Sequence, residues 1–150
     1  MNAAFKRQVG TRTGAKDQKV TESGGRARRP SWNAYDPACP TRRVLDRIAD
    51  KWTVLVVGTL AQGTRRFGVL RKEVGGISQK VLTEVLRGLE RDGTVTRTVY
   101  ASVPPKVEYS LTPLGRGLAG LLDSVRVWAE TNIESVLHAQ RAYDKGRGEQ

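Results

Sequence analysis

The sequence predicts a mainly α-helical α+β fold, in which four short helices precede a β-hairpin and a long C-terminal helix follows it. Three observations predict this order. Before Gly93, apolar residues recur every three or four positions, which is the spacing of amphipathic helices. Between Thr94 and Leu111 the period changes to two, which is typical of paired strands. After Pro113 the helical spacing returns and continues through Ile133.

The charge of the chain favours a polyanionic partner. The 150 residues include 26 Lys plus Arg and 15 Asp plus Glu, a net charge of +11. Residues 1–35 hold eight basic and two acidic side chains, so this segment carries +6 of the +11. It is rich in Gly, Thr, Lys and Arg and lacks apolar periodicity. We expect a disordered basic arm over residues 1–35, either a floppy leader or an auxiliary phosphate-binding arm, a folded domain over 36–140 and a frayed tail over 141–150.

The compartment expected from the sequence is a reducing cytoplasm. Cys39 is the only cysteine, so a disulfide within the chain is impossible. No apolar run reaches the roughly 20 residues of a membrane helix, and no apolar segment follows the basic N-terminus as in a signal peptide. We therefore expect no membrane partner.

Three helices are predicted before the central one. Thr41 is a candidate N-cap, and Val44, Leu45 and Ile48 form one face of the helix that follows. A second helix begins near Lys51 and carries Trp52 as a core residue. A third is expected to open at Thr64 and to end at the two glycines 75–76.

The central helix spans residues 78–92 and is predicted to be a recognition helix. Ser78 caps its start and Gly93 ends it. Its apolar face comprises Val81, Leu82, Val85, Leu86 and Leu89, and its outer face comprises Gln79, Lys80, Thr83 and Arg87. These polar side chains can hydrogen-bond base edges and phosphates in a DNA major groove. The alternative is an ordinary solvated surface helix.

Residues 94–111 are predicted to form a hairpin wing directly after this helix. Two alternating segments flank a tip that Pro104 and Pro105 stiffen, and Lys106 lies at the tip, where it can reach a phosphate or a minor groove. Two helices joined through a glycine turn and followed by a wing are the plan of a winged helix-turn-helix domain.

The last helix starts at Thr112-Pro113, by a cap and a preset first residue. Its long apolar stripe, from Leu114 to Ile133, exceeds what a small core can cover. A second copy of the chain would cover it; the alternative is that it packs entirely within the monomer.

Several short motifs together carry a family resemblance. In chain order they are Cys39-Pro40, Lys51-Trp52, Arg66-Phe67, ISQKVLT at 77–83, LERDG at 89–93, VPPKVEYSLT at 103–112 and Leu114-Gly115. In order and approximate spacing they resemble the HxlR-type winged helix-turn-helix regulators, from about Pro37 to about Trp128. The wing segment VPPKVEYSLT is the most specific of them.

The resemblance implies a homodimeric bacterial transcription factor that binds double-stranded DNA. The implied DNA-contacting residues are Arg66, Ser78, Gln79, Lys80, Thr83 and Lys106. Arg87 is added from helix geometry alone. The first and last helices would build the dimer, through Leu45, Ile48, Leu118, Leu121, Leu122, Val125 and Trp128. The basic arm departs from the compact family pattern.

The resemblance also implies an inducer, either an electrophile or oxidant sensed by cysteine or a non-covalent small molecule. Several members sense through a cysteine just before the first helix, the place that Cys39 occupies. A helix start and the nearby Arg42 and Arg43 would lower the pKa of this thiol. The alternatives are an inert thiol and a ligand pocket near Trp52 and the last helix.

No enzyme is predicted. The only histidine, His138, is remote from Cys39, and one Cys with one His cannot close a zinc site. The glycines at 75–76 lack the lysine of a phosphate-binding loop, so we expect no catalytic residue, metal or cofactor. A winged-helix module for protein–protein interaction is the competing class. Such a module would show apolar anchors on the outer face of residues 77–92, where this chain has polar groups.

Overall fold

A computed structural model describes residues 31–148, so most of the expected basic arm lies outside the described part of the chain. The elements are α1 (Thr41–Ile48), α2 (Lys51–Ala61), β1 (Arg65–Arg66), α3 (Phe67–Val74), α4 (Gln79–Arg91), β2 (Val95–Tyr100), β3 (Lys106–Leu111) and α5 (Pro113–Gly148). The predicted fold class is confirmed: helices surround a small antiparallel sheet, and a long helix ends the chain.

The core lies between α2, α4, the sheet and the first turns of α5. It contains Val56, Val57, Leu60, Leu70, Ile77, Leu82, Leu86, Leu89, Val95, Tyr109, Leu111, Ala119 and Leu122. These positions follow the helical and strand periodicities of the sequence, because each element buries only the face that meets its neighbours. None of the described helices combines the length and hydrophobicity needed to cross a membrane.

The sheet has three strands rather than the two of a simple hairpin. Arg65 and Arg66 were expected inside a helix opened by Thr64, but they form β1 and pair with Tyr109 and Glu108 of β3. The strand order is β1-β3-β2, and helix α3 begins only at Phe67. The outer edge of β3 offers free backbone groups, and pairing with β1 satisfies them.

The turn between α3 and α4 has the conformation that its glycines allow. Gly75 and Gly76 have φ angles of 63° and 72°, in the left-handed region that favours glycine. Ser78 then caps α4 as predicted, because its hydroxyl accepts a hydrogen bond of 3.1 Å from the backbone N–H of Val81. The wing follows, with Val95 opposite Leu111 and Tyr100 opposite Lys106.

The N-caps of the other helices agree only in part with the predicted ones. Thr112 caps α5, since its hydroxyl accepts from the N–H of Gly115 at 3.1 Å. Asp50 caps α2 through the N–H of Thr53 at 3.1 Å, a cap that the sequence analysis missed. Thr41 is not the cap of α1 as predicted: Pro40 occupies that position, and Thr41 is the first helical residue.

Helix α5 is longer than the sequence analysis expected. A frayed tail was predicted from residue 141, but the helix continues to Gly148. Its last turns contain no proline, and the guanidinium of Arg147 lies 5.6 Å from the ring centre of Tyr143 one turn earlier. The sequence placed the end of the helix too early, because the apolar stripe stops before the helical hydrogen bonds of the backbone do.

Candidate DNA interface

The outer face of α4 is polar and exposed at its N-terminal end. Ser78, Gln79 and Lys80 are exposed, as is Arg87 two turns later, while Leu82 and Leu86 on the opposite face are buried. The structure therefore brings four of the predicted DNA-contacting residues onto one accessible surface. Such a face can hydrogen-bond base edges and phosphates.

A shallow groove of about 560 Å³ follows this face, lined by Gln79, Lys80, Thr83, Glu84 and Arg87. Thr83 is half-buried, and its hydroxyl donates to the backbone oxygen of Gln79 at 2.8 Å, which leaves the hydroxyl oxygen able to accept. Glu84 was missed by the sequence analysis. An exposed carboxylate on this face can accept a hydrogen bond from the amino group of a cytosine.

Two predicted DNA-contacting residues lie close to one acidic residue of the wing. The Nζ of Lys106 lies 2.6 Å from Oε1 of Glu108, and the Nε of Arg66 lies 3.9 Å from the same oxygen. Lys106 also lies 4.8 Å from the ring centre of Tyr100. Its hydrogen bond to Glu108 is the main cause that lowers the pKa of that carboxyl group, so Glu108 keeps its charge. Both cations therefore have a carboxylate nearby in the absence of DNA.

Cys39 precedes α1 by two residues and is buried, with 8% of its surface exposed. Its Sγ lies 3.1 Å from Oγ1 of Thr41. The hydroxyl of Thr41 is the main cause that lowers the pKa of the Cys39 thiol, followed by the backbone of Thr41, while burial and Asp36 oppose this. We expected the helix start together with Arg42 and Arg43 to lower this pKa. The backbone of Thr41, the first residue of α1, agrees with the helix start, but neither arginine is among the causes.

A profile of the family described as HxlR-like helix-turn-helix matches residues 47–136. The chain belongs to this family. It is 43% identical to the HTH-type transcriptional regulator YtfH of Escherichia coli over 105 residues, which cover 70% of this chain and 83% of that one. This HxlR-family protein is a transcriptional regulator with a helix-turn-helix DNA-binding domain.

Solved structures agree with this fold. A transcriptional regulator, ytfH from Salmonella typhimurium, aligns with a TM-score of 0.68 and 43% identity, covering 74% of this chain and 98% of that one. The redox regulator HypR in its oxidised form aligns with a TM-score of 0.58 and 44% identity, covering 63% and 97%. The profile match begins at Arg47, so Cys39 lies before it.

In this HxlR-family chain, the residues predicted for dimerisation divide into an exposed group and a group that packs in or against the chain's own core. Leu121 and Trp128 are 68% and 64% exposed, and Val125 and Leu45 are also exposed. Leu122 was predicted at the interface, but it is only 4% exposed and packs in the chain's own core against α2. Ile48 and Leu118 are half-buried against the same core. The exposed group therefore remains available to a second copy.

Trp52 packs partly against the core, as predicted. It lines a depression of about 260 Å³ with Arg47, Asp50 and residues of α4, and α5 contributes nothing to it. Two other depressions, of about 420 and 380 Å³, lie between α2 and α5 without Trp52 in their lining, so a ligand pocket near Trp52 and the last helix stays a prediction. No cluster of three or more metal-ligating side chains occurs within residues 31–148.

Proposed function

We propose that the chain regulates transcription as a homodimer, with α4 of each protomer in the major groove and the wing on the flanking backbone or minor groove. One observation carries the proposal: the exposed N-terminal half of α4 is polar, while its other side is anchored in the core. Gln79, Lys80 and Thr83 would meet base edges, and Lys106 and Arg66 would meet phosphates.

The proposed dimer forms through α1 and α5. The exposed stripe of Leu121, Val125 and Trp128 supports it, since leaving large apolar side chains in water is unfavourable. On the same helix, Leu122 and Ala119 pack inward, so the stripe is a second apolar face rather than part of the core. Identical stripes meeting across a two-fold axis would pair like with like.

We also propose that modification of Cys39 by an oxidant or electrophile switches DNA binding. The lowered pKa of this thiol favours the reactive thiolate, and its position at the start of α1 places it next to a proposed dimer element. The likeness to the redox regulator HypR supports the same proposal. The low exposure of this residue limits the access of a reagent to Sγ.

Selection from a random duplex library tests the proposed function. The full chain should recover a preferred duplex with two inverted half-sites, separated by about one helical turn (roughly 34–36 Å) or a multiple of it. Sedimentation at binding concentrations should give two chains per duplex. A single asymmetric half-site, or a monomer at those concentrations, would contradict the dimer; no enrichment over the starting library would contradict sequence-specific binding.

A further inference from the structure

A second groove lies between α4 and the sheet. It has a volume of about 470 Å³, and Phe67, Leu86 and Tyr109 form its apolar part. Arg87 of α4 and Arg97 of β2 line it together. Arg97 was not among the predicted DNA contacts, because the sequence of a single strand does not reveal which helix lies beside it.

The two arginines lack partners among the described residues. Neither guanidinium has a carboxylate oxygen within 4.0 Å, the limit for an ion pair. Neither forms a side-chain hydrogen bond in this part of the chain. Three other arginines of this region are paired, Arg47 with Asp92, Arg65 with Glu73 and Arg66 with Glu108, whereas Arg71 and Arg91 form no ion pair among the described residues. Glu90 also lines the groove but forms no ion pair with either cation.

Arg97 forms no ion pair with a described residue that would stabilise the sheet. It is exposed, and the residue opposite it on β3 is Tyr109, which carries no charge. An unpaired guanidinium on a strand stabilises neither a cross-strand ion pair nor a buried network. The groove is lined by two guanidinium groups and one carboxylate, and a guanidinium fork matches the oxygens of a phosphate.

The groove opens onto the surface proposed to face DNA. Gln79 and Thr83 line both this groove and the one along the outer face of α4. We propose that Arg97 is a DNA-backbone contact, and that Arg87 and Arg97 together hold one phosphate between α4 and the sheet. The proposal rests on the proposed function and adds to it a contact at the base of the wing, distinct from Lys106 at its tip.

The test compares Arg97→Gln, Arg87→Gln and the double variant with Arg141→Gln, which removes the same charge from an exposed position far along α5. The probes are the duplex that the native chain recovers from a random library and a scrambled duplex of the same composition. Affinity is measured across salt concentrations, and circular dichroism verifies that each variant is folded. Neutralising one phosphate contributes about 0.9 to the slope of log affinity against log salt.

We expect Arg97→Gln to flatten this slope on both duplexes, by up to about one unit. The affinity ratio between the duplexes should stay unchanged. The double variant should lose about one unit in total, since both cations neutralise the same phosphate. Arg141→Gln should leave the slope as it is.

Four results would overturn the proposal. If Arg97→Gln and Arg141→Gln have the same slope while the native chain prefers its selected duplex, Arg97 does not touch DNA and the proposed function stands. A changed affinity ratio would make Arg97 a base contact, and a loss of two units would mean two separate phosphates. A native chain with no preference for the recovered duplex would instead overturn the proposed function, and this proposal with it.

Discussion

Arg47 and Asp92 form an ion pair that joins α1 to the residue that caps the end of α4. The guanidinium of Arg47 lies across Gly88, so a Cβ at that position would overlap its Nη1 atom. Thr112, the N-cap of α5, contacts the residue that follows Asp92, because its hydroxyl donates to the backbone oxygen of Gly93 at 2.7 Å. Both proposed dimer helices, α1 and α5, are therefore attached to the C-terminal end of the recognition helix.

The effect of Gly88→Ala on the free energy of unfolding should depend on Arg47. Alanine favours a helix over glycine by about 1 kcal/mol. In the native chain, the methyl group displaces Arg47 from a partly exposed ion pair worth about 0–1 kcal/mol, so the change should be close to zero. In Arg47→Ala the clash is absent, and Gly88→Ala should stabilise by about 1 kcal/mol. Urea unfolding of the four chains checks this; equal effects in both backgrounds would contradict it.

Gly115 and Gly117, both in α5, should respond in opposite ways to alanine. A Cβ at Gly115 would overlap the backbone oxygen of Thr94, which also accepts the N–H of Thr112 at 3.0 Å and cannot move freely. Gly115→Ala should therefore destabilise by about 1–3 kcal/mol. Gly117 has open space around it, and Gly117→Ala should stabilise by up to about 1 kcal/mol. A thermal unfolding midpoint that Gly115→Ala does not lower would contradict this close approach.

Glu108→Gln should strengthen binding to duplex DNA of any sequence. The carboxylate neutralises Lys106 and lies near Arg66, so its loss frees two cations for phosphate. Lowering the pH should also strengthen binding, because protonation removes the charge of Glu108. With a lowered pKa, Glu108 stays charged until the pH falls below its ordinary titration range, so the effect should appear only there. Gel shifts on selected and scrambled duplexes measure the effect.

Two variants serve as controls for Glu108→Gln. Lys106→Ala should weaken binding to both duplexes and flatten the salt slope by about one unit. Gln79→Ala should cost about 1–3 kcal/mol on the selected duplex alone. Weaker binding by Glu108→Gln would mean that the carboxylate positions Lys106 for DNA instead of competing with it.

Truncating the exposed face of α5 should separate the proposed dimer into monomers. The double variant Leu121→Ala with Trp128→Ala removes two large apolar side chains that are mostly exposed and lie outside the core cluster. Val127→Ala is the matched control, since Val127 is also exposed but lies on another face of the helix. Analytical ultracentrifugation should show a raised dimer dissociation constant only for the double variant. Equal dissociation constants for the double variant and Val127→Ala would remove α5 from the interface.

The reactivity of Cys39 should depend on the hydroxyl of Thr41. Thr41→Val removes the main cause that lowers the thiol pKa, so the pH at which alkylation by iodoacetamide becomes fast should rise. Thr41→Ser keeps a hydroxyl and should resemble the native chain. A native chain and a Thr41→Val variant with the same pH profile would show that the hydroxyl does not act on the thiol. Cys39→Ser should abolish any change in DNA binding caused by the same reagents.

Several elements could be predicted because their causes are local in sequence. Ser78 caps α4 through an N–H three residues away, and the hairpin of the wing follows from two alternating segments joined by a short loop. The outer face of α4 follows from helical periodicity alone, so the sequence identified four of the exposed residues of the candidate DNA interface.

Other features depended on contacts between residues far apart in the chain. Arg65 and Arg66 form a strand only because β3 offers them an edge more than 40 positions later, and a two-residue strand has no period to detect. The same pairing brings Arg66 near Glu108, and the packing of α4 beside the sheet brings Arg87 and Arg97 to one groove. On α5, periodicity marks Leu121 and Leu122 as equally apolar. Only the position of α2 decides that Leu122 is buried and Leu121 is left in water, because an apolar pattern records which side chains avoid water but not which neighbour covers them.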